Sequence, residues 1–155
     1  MNNQPATLYI HLASSWFMVG LIWLVQLVHY PLMSFVEEAR FAAFETEHRQ
    51  RILFIVGPCM LMQLITAVIL WRGSSSKQKL WLINLALIVC IWLSTFFIQV
   101  PLHDALNIRF TEITHQELVN SNWLRTILWT MQGLLAGYLF HQTVSARTVV
   151  DSKPS

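Results

Sequence analysis

The chain has 155 residues, of which 55% are hydrophobic and only 12% charged, and its net charge is +2. A soluble domain carries about 25% charged residues, so this chain has too little polar surface to coat a water-soluble fold. No basic cluster suggests a nucleic-acid partner, and two cysteines are too few for a disulfide framework.

Four windows hold almost all of the apolar excess: 8–30, 52–71, 80–100 and 123–140. Each lies within the roughly 17–25 residues that a helix needs to cross a hydrocarbon core, and none alternates with the period of a strand. The expected fold is an all-α membrane protein, a four-transmembrane-helix bundle built as two helical hairpins. Residues 1–142 form one domain, and 143–155 form a polar tail expected to fray. The first window lacks a basic leader and ends in VHYPLM, so it reads as a crossing and not as a cleaved signal peptide.

The first crossing closes on His29-Tyr30-Pro31-Leu32, and the third closes on Gln99-Val100-Pro101-Leu102. Proline lacks a donor and disfavours helical geometry in the residue before it, so each proline is expected to end its helix. Ser34 with Glu37, and Thr114 with Glu117, then match the capping-box spacing of a new start. Helices 2 and 4 are thus expected to begin outside the bilayer on one side. Gly57-Pro58 should kink the second crossing. Gly133 and Gly137 allow close packing, within the chain or in a homo-oligomer. Cys59 and Cys90 fall inside apolar windows and read as buried thiols.

The connection RGSSSKQK is purely basic, with Arg72, Lys77 and Lys79, and the tail adds Arg147 and Lys153 against Asp151. The two other connections mix Arg40, Arg49, Arg51 and Arg109 with seven acids, and Arg125 stands at the boundary. Lys and Arg divide evenly between the sides, and the short basic loop favours a cytoplasmic placement for itself and both termini. The expected location is the cell inner membrane, multi-pass.

Histidines crowd one end of this topology. His29 closes the first crossing, His48 precedes the second, His103 follows the third and His115 approaches the fourth. Glu45 and His48 are three apart, so on a helix they share a face. Glu-x-x-His occurs twice in di-iron bundles but once here, which suits a single ion held by His29, Glu45, His48 and His103. Such a ligand set fits iron, zinc or copper. Asp104 and Arg125 are the candidate catalytic or substrate contacts, although Arg125 also reads as an interfacial anchor beside Trp123. A solvated helix face is the plainer reading of FETEHRQR, and His115 reads as surface. His11 and His141, at the other end, read as interfacial anchors or as a pair of haem ligands. Gln26, Gln63, Asn84, Gln99 and Gln132 lie in or at the edge of apolar windows and should hydrogen-bond between helices.

The run VHYPLMSFVEEARFAAFETEHRQRILFIVGPCMLMQL, followed by QVPLHDAL and NWLRTILWT, resembles a group of small bacterial four-helix membrane proteins of uncharacterised function. The four-helix layout, with its early proline-ended helix, is similar at a greater distance to the anthrone-oxygenase-like membrane proteins. That second resemblance implies an oxygenase of polycyclic aromatic phenols working without a metal. From the residues, the expected function is a small metal-dependent oxidoreductase acting on an apolar substrate, phenolic or quinol-like, at one mouth of the bundle. The competing expectation is a non-enzymatic membrane subunit or ligand-binding protein whose polar rim docks a partner.

Overall fold

The computed structural model describes residues 4–74 and 76–151, with side chains described for 5–74 and 76–145. Four long helices account for it, and no strand occurs among the described residues. Helix α1 comprises Gln4–Leu24, a π-helical turn Val25–His29 and a last turn Tyr30–Met33. Helix α2 is Glu38–Gly73. Helix α3 comprises Gln78–Ser94, a second π-helical turn Thr95–Gln99 and Val100–Ile108. Helix α4 is Glu112–Asp151. They close a ring in which α1 and α3 each pack against both α2 and α4.

Three helices, Pro5–Met33, Glu38–Gly73 and Gln78–Ile108, are long and apolar enough to cross a membrane. Their outward faces support this, because Phe54 is 83% exposed and Phe97 75%, with Leu53, Ile65 and Leu93 also open. So large an apolar exterior suits lipid and not water. The polar residues lie inside instead: Gln26, Gln63, Asn84, Gln99 and Gln132 are all buried. Buried apolar clusters fill the ring in three groups. Val25, Tyr30, Met33, Phe41, Leu106 and Leu118 form one, Met18, Ile22, Met60, Ile91 and Trp129 the second, and Leu8, Leu70, Trp81 and Leu139 the third.

The prolines do not end their helices. A helical proline has no N–H for the carbonyl four residues back and crowds that carbonyl. Here the preceding residue takes up the strain by reaching back five: Tyr30 N–H bonds Val25 O and Val100 N–H bonds Thr95 O. The widened turn lets each helix continue past its proline, to Met33 and to Ile108. The loops shrink accordingly to 34–37 and 109–111.

The helix starts also differ from the expected caps. Glu37 precedes α2, while the Ser34 hydroxyl bonds Pro31 O instead. For α4 the cap is Thr111, whose Oγ1 accepts the Thr114 N–H at 3.2 Å. Pro58 lies within an uninterrupted α2. Helix α4 runs on past 142 to Asp151, and 152–155 lie outside the described residues. The side chains of Arg147, Asp151 and Lys153 lie outside the described residues. Of the thiols, Cys59 is half-buried and Cys90 exposed. Gly133 packs within the chain: a Cβ there would stand 2.6 Å from Val19 Cγ2 of α1.

Candidate functional site

Both π turns lie at the same end of the ring, and they deliver polar side chains to it. The α1 turn presents His29 and is followed by Tyr30, while the α3 turn ends on Gln99 with His103 one turn beyond. Helix α2 adds Glu45 and His48, and α4 adds Arg125. Single-turn π segments inside α-helices frequently occur at functional sites.

At the centre is a buried chain of three groups. Glu45 is fully buried, and its Oε1 meets His103 Nδ1 at 2.5 Å. The other ring nitrogen, His103 Nε2, lies 2.9 Å from the Tyr30 hydroxyl. With Glu45 ionised, Nδ1 carries the proton and donates it, which leaves Nε2 to accept the Tyr30 O–H. The Tyr30 hydroxyl also lies 3.5 Å from Gln99 Oε1, and Gln99 Nε2 donates to Ser121 Oγ at 2.9 Å. Helices α1, α2 and α3 thus meet in one carboxylate–imidazole–phenol relay, which α4 braces through Ser121.

Beside the relay stand His29 and His48. His29 Nε2 and His48 Nδ1 are 3.0 Å apart, with ring centroids 4.4 Å apart, and the His48 ring lies 5.6 Å from that of His103. All four predicted metal ligands therefore gather at this end of the ring. They do not converge as they stand, because the donor atoms point at one another in two pairs, Glu45 with His103 and His29 with His48. Among the described residues no group of three His, Cys, Asp or Glu side chains forms a ready metal site. Glu45 Oε2 is the exception to this mutual satisfaction, being buried without a partner.

The two candidate contact residues part company. Asp104 pairs with Arg49 at 2.6 Å on the exposed rim and does not line the cavity described below. Arg125 turns inward, only 7% exposed, so it is not an interfacial anchor. It lies next to the Tyr30 phenol and donates from Nη1 to Asn122 Oδ1 at 3.1 Å. Asn122 is itself held by Gln26, through Nδ2 to Oε1 at 2.9 Å.

His115 also departs from expectation. It is buried, and its Nε2 donates to Tyr30 O at 2.8 Å. The Tyr30 carbonyl lies in the final turn of α1, where helix carbonyls lack intrahelical donors. His115 supplies one and so fixes the backbone that carries the phenol.

A half-enclosed cavity of about 510 Å³ runs along the groove between α2 and α3, with α1 and α4 as its floor. Tyr30, His48, Gln99, His103 and Arg125 give it a polar end, and Val25, Val56, Met60 and Trp92 give it apolar walls. Leu53 and Phe96 flank it and face outward from the ring, which opens it toward the apolar exterior. Its size and its mixture of apolar walls with few polar groups suit a small-molecule site.

The other end of the ring holds a second polar cluster. His11 is buried, with Nδ1 2.8 Å from Thr66 Oγ1 and Nε2 3.1 Å from Asn84 Oδ1. Gln132 Nε2 donates to Ser15 Oγ at 3.0 Å. His11 is thus an inter-helix core residue and not an interfacial anchor. Both its nitrogens are engaged, while His141 is exposed, so the two do not present themselves as a pair of haem ligands.

Tyr30 was missed by sequence reasoning, hidden in a motif taken for a helix end. A tyrosine beside a histidine at the edge of an apolar window is the signal that could have found it. Comparisons with protein-family models, curated proteins and solved structures give no match. The resemblances therefore rest on the quoted motifs alone.

Proposed function

We propose that this chain is a membrane oxidoreductase of four crossings, α4 being the fourth, and that a small apolar phenol or quinol enters its cavity from the bilayer. The termini and the basic 72–79 connection would face the cytoplasm across the inner membrane. The observation that carries this reading is the Glu45–His103–Tyr30 relay at the polar end of an apolar groove. A substrate hydroxyl beside Tyr30 gives its proton to the Tyr30 oxygen as Tyr30 gives its own to His103 Nε2. Glu45 balances the imidazolium that results, as a carboxylate does for any histidine base. Deprotonation of this kind prepares a phenol or quinol for loss of electrons.

In the fuller form of this proposal a transition metal, iron or copper, would pass the two electrons of the quinol one at a time to dioxygen. The 3.0 Å separation of His29 Nε2 and His48 Nδ1 and the unpartnered Glu45 Oε2 favour it. An ion would enter by replacing the His29–His48 hydrogen bond and drawing on Glu45. The relay and the ion compete for His103, whose two nitrogens are already engaged, so His29, His48 and Glu45 are the ligands this form needs most. A zinc ion would serve only to polarise an oxygen, since it has no redox chemistry.

The test uses protein purified into nanodiscs and supplied with a short-chain quinol in aerated buffer. Quinone formation should be seen in its ultraviolet absorption, and His103→Ala should slow it by about a hundredfold or more. Metal analysis of the same samples distinguishes the two forms: stoichiometric iron or copper lost in His48→Ala supports the ion, and active metal-free protein removes it. Failure of wild type both to bind and to oxidise the quinol sinks the enzyme and leaves the partner-docking membrane subunit.

A further inference from the structure

We propose that the cavity takes its ligand as a monoanion: an apolar body with one oxyanion, received at the polar end by the Arg125 guanidinium. This rests on the cavity being a ligand site and is independent of any oxidation there.

Arg125 lines the cavity and is 7% exposed. Its partners are the neutral Asn122 and Tyr30, and its Nε has none. Among the described residues, no carboxylate stands within ion-pair distance of it. Glu45 hydrogen-bonds His103 and forms no ion pair with Arg125, while Asp104 pairs with Arg49 and Glu47 with Arg51, both on the exposed rim. A buried charge without a counter-ion is strongly unfavourable, whereas a guanidinium paired with an oxyanion forms the strongest class of hydrogen bond. No described residue supplies the counter-charge, and the groove that Arg125 lines is where a ligand would bring one.

The walls narrow the class further. A free inorganic anion would gain nothing from Val25, Val56, Met60 and Phe96. A neutral apolar molecule would fill the groove and leave the guanidinium bare. An amphipathic anion satisfies both ends, and its chemistry is shared by an acidic phenol in its phenolate form and by a fatty acid. The access between Leu53 and Phe96 is apolar and suits a molecule that arrives through lipid.

Trp92 lines the cavity, so ligand binding can be read from tryptophan fluorescence of the full chain in zwitterionic nanodiscs, with empty nanodiscs subtracted. Three probes are compared: a nitro-substituted alkylphenol ionised at neutral pH, its methyl ether, and a fatty acid of similar length. Wild type should bind the phenolate about tenfold or more tightly than the ether, as expected for one charge-assisted hydrogen bond. Arg125→Gln should remove that preference, and Arg125→Lys should keep part of it. If the fatty acid binds as the phenolate does, the site reads the oxyanion alone; if only the phenolate binds, it reads the ring as well, and either result supports the proposal. Equal binding of phenolate and ether to wild type overturns it while leaving the cavity a ligand site. Binding of none of the three overturns both. The wild-type comparison needs no variant, so a misfolded Arg125→Gln would not blunt it.

Discussion

Both ends of the helix ring bury a polar cluster built around a histidine, and the two clusters are put to different use. At one end His11, Ser15, Thr66, Asn84 and Gln132 bond to one another across all four helices, and none of them lines the cavity described above. At the other end Glu45, His103, Tyr30 and Arg125 include two ionisable groups with unpartnered buried atoms, and they border a cavity. A polar cluster that satisfies itself fixes helix register. One that retains a buried charge and a groove has been left incomplete for something else. The difference is not absolute, since Gln132 Oε1 in the first cluster and the Gln63 amide near it also lack partners, but no net charge is stranded there.

The largest expected effect would break this comparison if it failed. His103→Ala should lower quinol turnover by about 10²–10⁴-fold, the usual range for a general base, with the folded protein retained on size exclusion. Asn84→Leu should do the opposite. It strips partners from His11 and Gln132 and should cost about 2–3 kcal/mol, read as a lowered midpoint of denaturation in detergent, with cavity binding unchanged. A turnover loss in folded Asn84→Leu as large as that of His103→Ala would erase the distinction between the ends.

His115→Ala sharpens the contrast from within the incomplete end. It leaves the Tyr30 carbonyl without its donor and should cost about 1–2 kcal/mol of stability, together with a smaller turnover defect than His103→Ala. A defect equal to that of His103→Ala would place His115 in the proton path itself. The smallest effect belongs to the rim. Asp104→Asn breaks an exposed ion pair with Arg49 and should change stability by less than about 1 kcal/mol, leaving turnover near wild type. Loss of turnover there would return Asp104 to the site.

The gross fold was legible because apolar length is a one-dimensional signal, and so was the gathering of His29, Glu45, His48 and His103, which follows from the order of crossings. What was not legible is azimuth. A window that is apolar on every side has no amphipathic period to say which face turns inward, so His11 and His115 were placed too near the surface, and Arg125 could not be told from an interfacial anchor. The proline ends failed for a different reason. Proline reports a missing donor, and whether a helix stops or widens depends on what lies beyond it; here Leu106, past Pro101, is wholly buried in the first apolar cluster and rewards continuation. Tyr30 was lost with that error, since a residue thought to terminate a helix was not considered as part of its interior.

The two π turns carry a further consequence, of a rotational kind. Each holds one residue more than an α-helical turn, and one residue corresponds to about 100° of rotation about a helix axis. Everything beyond Val25–His29 and Thr95–Gln99 is therefore phase-shifted with respect to the helix below. Tyr30 and His103 both lie on the shifted side. Removing one residue from either turn would restore a regular helix and swing its phenol or imidazole out of the relay, leaving the apolar clusters farther down in place. The prolines, by penalising the regular helix, act as the detents that hold both rotations.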